Sequence, residues 1–363
     1  MANLGFDGFD HYNAAADFLS RSDFIQWQNT TSAGTLSFVT GLTGYGKAVK
    51  IVGGNFGEGL LGVFGARNQH FFFGQRVFCL NNNISAYGFY LHCIDSLAAG
   101  GAADQFKLRF DENNYAVEVW NGTTLLGTSA NNVWAGDVSN FIEIELYVAT
   151  GTSGYVNVWV NNVQVLALSG ITTQQSANAW VDSISYQPSP VSGGGGSYII
   201  LDDFYYNDTT SGPGLFPMNG RAGDSRTSTQ FATGNDVVQF APLANANWQE
   251  ISEVAMDGDA SYNYDNNAGD QDTFVFQPLL ATLSTIYALR LTYATRNDGA
   301  GSRTTAGVVK IGGTSYVYGS PNSVPASANY VYFSNQWTLS PATGLNFTRT
   351  EVNGADFGYK LVS

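Results

Sequence analysis

Charged side chains are scarce in this sequence. Asp, Glu, Lys and Arg make up only 12% of the 363 residues, which is about half of the roughly 25% found in ordinary globular proteins. The 15 Lys and Arg residues are outnumbered by 29 Asp and Glu residues, so the formal net charge is −14. Because the neutralisation of phosphates requires clustered Lys and Arg, this balance argues against nucleic acids and anionic membranes as partners.

Apolar runs long enough to cross a membrane are also missing, since no stretch of about 18 apolar residues occurs. The opening MANLGFDGFD has neither a basic segment nor an apolar one, so we expect no secretory signal there. Cysteine occurs only at Cys79 and Cys93, both in apolar, strand-like segments. Without an export signal we expect buried free thiols, and a disulfide between neighbouring strands stays open as the alternative.

Glycines and aromatic residues, by contrast, are abundant, with 42 Gly, 24 Phe and 20 Tyr. The clearest strand pattern is the alternation of apolar and polar residues in segment 141–168, FIEIELYVATGTSGYVNVWVNNVQVLAL. Asn161 and Asn162 stand where a two-residue hairpin requires positive φ. Strict alternation between turn residues predicts a three-stranded antiparallel meander.

Short segments of the same kind recur along the whole chain, separated by turn residues. We therefore predict an all-β fold of two antiparallel β-sandwich (jelly-roll) domains, residues 1–210 and 211–363. The Gly-rich segment 188–197 is interpreted as a solvent loop before the last strand of the first domain, YIILDDFYYND. Residues 14–27 are the only part of the first half that predicts a short helix.

A family resemblance is carried by four segments: the N-terminal FDGFDHY, WNGTTLLGTS, the meander, and LDDFYYND. Together they resemble the concanavalin A-like (laminin G-like) jelly-roll domains of virion proteins from tailed bacteriophages. The resemblance covers residues 5–208, and the second half resembles the segment that often follows such domains. It implies a virion structural protein, assembled in the host cytoplasm and displayed as a capsid decoration, a head fibre or a tail-associated protein. Other virion proteins would then be its partners, and symmetry favours a homo-oligomer, with a trimer as one candidate.

Four aspartates form the most informative polar set: Asp7, Asp10, Asp202 and Asp203. The first and last strands of a jelly roll commonly lie side by side, which brings FDGFD against LDDFY. Several carboxylates in one place suit Ca²⁺, which takes six to eight oxygen ligands, and similar concanavalin A-like domains often hold a structural calcium there. The alternative is that these residues cap turns and face solvent, because Asp beside Gly is ordinary turn chemistry.

Signals for catalysis are weak. Retaining glycosidases need two carboxyl groups about 5 Å apart, and Glu143 and Glu145 lie two residues apart. The family 16 glycoside hydrolases share this fold and carry Glu-x-Asp-x-(x)-Glu, but the Asp and the final Glu are missing here. We therefore interpret both glutamates as solvent-facing positions of an amphipathic strand. His11, His70 and His92 lack metal-ligand spacing, and no nucleophile elbow or phosphate loop occurs, so we expect no enzymatic activity.

Tyr155 and Trp159 are the best candidates for contact with a partner, because the alternation places them on the face opposite the valines of the meander. Aromatic side chains on a polar, weakly charged β-surface stack on sugar rings or fill interfaces between subunits. Two functions follow from this face. The chain is either a structural virion protein that acts through protein–protein contacts or a carbohydrate-binding adhesin that recognises a host surface glycan.

Overall fold

A computed structural model describes residues 5–12, 25–29, 35–52, 60–80, 88–99, 101–188, 198–208, 221–254, 256–279 and 285–363. These residues form two compact units. The first comprises the described residues through 208 together with 221–227, and the second comprises those from 228 onwards. The predicted domain boundary at residues 210 and 211, and the Gly-rich segment from residue 189 onwards, lie outside the described residues.

The described part of the first unit consists of strands joined by turns, and all strand pairs are antiparallel. The strands are β1 (Gly5–Asp7), β2 (Ile25–Asn29), β3 (Thr35–Thr40), β4 (Lys47–Val52), β5 (Leu60–Asn68), β6 (His70–Leu80), β7 (Phe89–Asp95), β8 (Ala103–Asp111), β9 (Ala116–Asn121), β10 (Thr124–Thr128), β11 (Ser139–Tyr147), β12 (Gly154–Val160), β13 (Val163–Ile171), β14 (Val181–Pro188) and β15 (Tyr198–Asp208).

These strands form two sheets. The first sheet has the order β13-β12-β11-β6-β15-β4-β3, and the second has the order β10-β9-β8-β7-β14-β5-β2. Strand β1 also joins the first sheet, because Phe6 pairs with Tyr205 on the stretch of β15 that follows the stretch paired with β4. The predicted neighbourhood of FDGFD and LDDFY is therefore confirmed.

The core of the first unit lies between the two sheets. Alternation points Ile144 and Val158 from the first sheet, and Leu108 and Val119 from the second, into one apolar cluster in which all four are fully buried. The predicted meander is β11-β12-β13, and its Asn161-Asn162 turn has φ values of 50° and 69°. The all-β jelly-roll sandwich expected from the sequence is confirmed.

Two local expectations have different outcomes. Most of the predicted helix 14–27 lies outside the described residues, but its last three positions begin strand β2, so the prediction is wrong there. Pairing with β5 satisfies the backbone of β2, and the side chain of Trp27 is fully buried in the core. Cys79 and Cys93 are buried free thiols, and burial raises the pKa of each well above its ordinary value.

Strand β15 contains a bulge in the centre of the first sheet. Its register against β6 shifts between Asp202 and Tyr205, and Asp203 adopts φ 52°, a conformation that non-glycine residues rarely adopt. Gln75 on β6 donates its side-chain amide to the carbonyl of Asp202 and so supports the bulge. Because a bulge re-aims the side chains around it, this feature decides where the two aspartates point.

The second unit is also β-rich. Its strands are β16 (Ala232–Val237), β17 (Ala241–Pro242), β18 (Asn263–Tyr264), β19 (Gln271–Phe276), β20 (Leu289–Asn297), β21 (Arg303–Ile311), β22 (Thr314–Val317), β23 (Asn322–Val324), β24 (Ser327–Trp337) and β25 (Asp356–Leu361). A 3-10 helix (Gln249–Ile251) and helix α1 (Arg349–Asn353) complete the described elements, and the main sheet has the order β16-β19-β25-β21-β22. Within the described ranges, no helix has the length and apolarity that a membrane crossing requires.

Candidate functional site

The outer face of the first sheet is the surface that turns away from the core on β6, β11 and β12. Strand register places Tyr147 opposite Tyr155 and Glu145 opposite Asn157, and His70 pairs with Tyr147 from the other side. Residues between these positions, such as Leu146 and Val156, are fully buried. Alternation therefore collects the aromatic and polar side chains on one side of three central strands.

Hydrogen bonds fix these side chains to one another. Nε2 of His70 lies 3.0 Å from Oε1 of Glu145 and 2.7 Å from the hydroxyl of Tyr155. That hydroxyl also donates to Oε1 of Glu145 at 3.2 Å, and the amide of Asn157 donates to Oε2 at 2.9 Å. Glu145 thus accepts from three neighbouring side chains, so the face is organised before any ligand arrives.

Ring contacts add to this order. Tyr147 and Tyr155 stack with centroids 5.6 Å apart and planes 9° apart. The ring of His70 meets both tyrosines edge-on, at 5.8 Å and 5.5 Å. Burial and the neighbouring Glu145 raise the pKa of Tyr155 above its ordinary value, so its phenol stays protonated and can donate a hydrogen bond at neutral pH.

Trp159 lies on the same face but is covered. The guanidinium of Arg221 sits 4.4 Å from the centre of its ring, and the same guanidinium forms an ion pair with Glu143. Tyr155, at the other end of β12, keeps its partial exposure. Trp159 is half-buried as well, and of the two predicted contact residues it is the one whose ring lies under Arg221.

Glu143 departs from the sequence-based expectation of a solvent-facing residue, because only 1% of its surface is exposed. Segment 221–224 crosses the outer face at this point. The carboxylate of Glu143 accepts the hydroxyl of Tyr205 at 2.6 Å, the backbone N–H of Gly223 at 2.7 Å and the guanidinium of Arg221. Alternation gave the correct side of the strand but could not show that a distant part of the chain covers it.

The four predicted calcium aspartates lie in three different surroundings. Asp7 is enclosed by the core, where its carboxylate accepts the hydroxyl of Tyr12 and the indole N–H of Trp27, both at 3.0 Å. Asp10 and Asp202 both bind the turn between β3 and β4, Asp10 through the N–H of Lys47 at 2.7 Å and Asp202 through the N–H of Leu42 at 2.8 Å.

Asp203 faces cationic and amide donors. Nε of Arg76 lies 2.8 Å from one of its oxygens, and the N–H of Thr227 donates to the other at 2.9 Å. Burial raises the pKa of Asp203 against the opposing effect of Arg76. Burial, followed by the negative charge of Asp203, raises the pKa of Asp202 to about 8.

These carboxylates already accept hydrogen bonds, so a calcium ion would have to replace some of them. In the part of the chain that the structure describes, no group of three or more His, Cys, Asp or Glu residues is arranged to hold a metal ion. The calcium site stays a prediction that a melting experiment can test.

Four members of the face were not assigned to binding from the sequence: His70, Glu145, Tyr147 and Asn157. The signal that was available is the alternation of side chains along each strand. Glu145 and Asn157 alternate with buried apolar residues in the same way as Tyr155, so they turn outwards too. His70 could not be included, because its strand precedes the meander by some 60 residues of sequence and the register between the two strands is a tertiary property.

Comparisons with known proteins concern the fold. No family model matches the chain, and no curated protein matches it. Among solved structures it is similar to an alginate lyase, with 12% identity over 56% of this chain and 96% of that one and a TM-score of 0.39. It is also similar to arcelin-5, a lectin-like defence protein from Phaseolus vulgaris, with 12% identity over 56% of this chain and 98% of that one and a TM-score of 0.37. A third similar structure is that of a carbohydrate esterase from the Shiga toxin-encoding bacteriophage phi24B, with 14% identity over 50% of this chain and 89% of that one and a TM-score of 0.34.

Proposed function

We propose that this chain is a non-enzymatic carbohydrate-binding protein displayed on a tailed-bacteriophage particle, where the outer face of its first sheet binds a host surface glycan. The observation that carries the proposal is the cluster of His70, Glu145, Tyr147, Tyr155 and Asn157. Aromatic rings and hydrogen-bonding groups lie side by side there, on strands that are each paired with a neighbouring strand on both sides.

The chemistry of this cluster suits a sugar. Apolar C–H surfaces of a sugar ring pack on aromatic rings such as Tyr147 and Tyr155, while hydroxyl groups need both donors and acceptors beside those rings. Glu145 offers its remaining carboxylate lone pairs and Asn157 its second amide hydrogen, while the phenol of Tyr155, whose one hydrogen is donated to Glu145, offers an oxygen lone pair. Because these groups already hold one another in place, little side-chain freedom is lost when a ligand binds.

The two glutamates that the sequence suggested for hydrolysis, Glu143 and Glu145, are both held by neighbouring groups. Glu143 is enclosed by Arg221, Tyr205 and Gly223, so it cannot approach a sugar ring. Glu145 is bound by three neighbouring side chains. Turnover of a polysaccharide that disappears in the Glu145→Gln variant would contradict the non-enzymatic assignment.

Glycan-array binding tests the proposal directly. We expect the purified protein to bind one class of glycan and the Tyr155→Ala variant to lose most of that signal. Tyr45→Ala is the matched control, because Tyr45 is a tyrosine with 60% exposure that lies in a turn away from this face. Equal binding by both variants, or no binding to any glycan, would reject the proposed site.

The virion location rests on the sequence resemblance, and it also supports a second candidate function. A surface with few charges and many Asn, Thr and Gly residues suits a structural protein that acts only through contacts with other virion proteins. Antibody labelling of intact particles would show whether the protein lies on the capsid or the tail. Docking onto particles without any glycan binding would favour this structural role over the adhesin.

A further inference from the structure

We propose that the outer face of the second sheet is a separate binding surface for an anionic carbohydrate, in which Lys107 pairs with the carboxylate of the sugar. This inference concerns another sheet from the one in the proposed function, so each can fail without the other. It rests on the placement of charged and aromatic residues on β7, β8 and β9.

Alternation defines this face. Leu91, Leu108 and Val119 are buried in the core, so the residues next to them turn outwards. The outward set on these strands and on β14 combines rings, cations and amides: Tyr90, His92, Lys107, Arg109, Glu118, Trp120 and Gln187. Register places Lys107 between His92 on β7 and Trp120 on β9.

Most of these side chains are already paired. Arg109 donates to Oε1 of Glu118 at 2.6 Å, and the indole of Trp120 donates to Oε2 at 2.7 Å. The ring nitrogens of His92 lie 2.9 Å from Asp104 and 3.0 Å from Gln187. The face is therefore a rigid platform, as a binding surface requires.

Lys107 is the exception. Its ammonium group forms no ion pair or hydrogen bond with any residue that the structure describes, and it lies 5.6 Å from the centroid of the Tyr90 ring. In a chain of net charge −14, a half-buried ammonium without a carboxylate is complementary to an anionic ligand. The half-buried rings of Tyr90 and Trp120 flank Lys107. The guanidinium of Arg109 lies 5.7 Å from the centre of the Trp120 ring, so the body of the ligand packs on the parts of the two rings that face solvent.

A sugar suits this face better than an acidic peptide. Extended peptides commonly bind by adding a strand to a free sheet edge through main-chain hydrogen bonds. Strands β7, β8 and β9 are internal and are paired on both sides, so their backbone groups are already used. Only side chains and ring faces are offered, and a carboxylated sugar can use both.

Calorimetric titration with trigalacturonate, and with its neutral methyl ester, tests this inference. We expect trigalacturonate to bind, and the ester to bind at least about tenfold more weakly because it lacks the charge that pairs with the ammonium. Lys107→Gln should weaken binding of trigalacturonate by a similar factor, while Lys107→Arg should retain binding. Lys50→Gln is the matched control, because Lys50 also lies over a tyrosine ring, that of Tyr198, but in the first sheet.

Specified outcomes would overturn the inference. Absence of binding up to about 1 mM trigalacturonate, equal losses in Lys107→Gln and Lys50→Gln, or equal affinity for the ester would each reject it. Equally tight binding of a hexaglutamate peptide at the same site would show that the face takes acidic peptides instead. The Tyr155→Ala variant should bind trigalacturonate as the wild-type protein does, which separates this surface from the outer face of the first sheet.

Discussion

Replacing Glu143 with Gln probes the buried contact that fastens segment 221–224 to the first sheet. The carboxylate of Glu143 is fully buried and accepts from Arg221, Tyr205 and Gly223. Removing one partner of a buried ion pair destabilises a protein by about 3–5 kcal/mol. Arg221 retains 25% exposure, so water compensates part of this loss, and we expect about 2–3 kcal/mol.

For a unit of this size, such a loss lowers the melting midpoint by about 5–10 °C. Glu145→Gln is the control on the same strand, because Glu145 accepts from neutral partners and His70 and has no arginine. We expect it to lose only about 1 kcal/mol. Scanning calorimetry measures both midpoints, and trypsin cleavage after Arg221 should accelerate only in Glu143→Gln. Equal midpoints for the two variants, or unchanged cleavage, would refute the role assigned to Glu143.

Three further predictions concern the first sheet. The pKa of Asp202 is raised to about 8, so the folded protein keeps a proton that the unfolded chain releases near pH 4. The stability that this proton contributes is complete below pH 4 and is lost as the pH rises through 8. Measurements in EDTA keep calcium out of this comparison. The melting midpoint should therefore fall from pH 5 to 8.5, and by less in Asp202→Asn; parallel profiles would contradict this. If calcium binds at the predicted aspartates, the melting midpoint should be higher in CaCl₂ than in EDTA, and Asp10→Asn should reduce this difference. Equal midpoints of the wild-type protein in CaCl₂ and in EDTA would exclude the site. Gly74→Ala should lose about 1–3 kcal/mol, because a methyl group there meets the ring of Tyr205, whereas Gly319→Ala meets no atom within 4 Å and should stay near wild type.

The sandwich could be predicted because its determinants are local. Alternation in the meander fixes which side of each strand is apolar, and the Asn161-Asn162 turn fixes the register of β12 and β13. Both appear in the structure as expected. The pairing of β1 with β15 followed from a general property of jelly rolls rather than from any residue.

What the sequence could not show is which distant segments meet. Alternation along β11 places Glu143 on the outward face, yet Arg221, 78 positions away in the sequence, contacts and covers it. His70 joins Tyr155 across 85 positions. His92 on β7 meets Gln187 on β14 across 95 positions. Such contacts depend on sheet order and on the path of connections, which hydrophobic periodicity does not encode.

The direct test of glycan recognition by the first sheet is a calorimetric titration of the best array ligand against wild type, Tyr155→Ala and Tyr45→Ala, all shown to be folded by their melting curves. We predict that Tyr155→Ala weakens binding by at least about tenfold, which corresponds to about 1.4 kcal/mol, while Tyr45→Ala binds as the wild type does. Wild-type affinity in Tyr155→Ala would contradict the assignment of the glycan to this face.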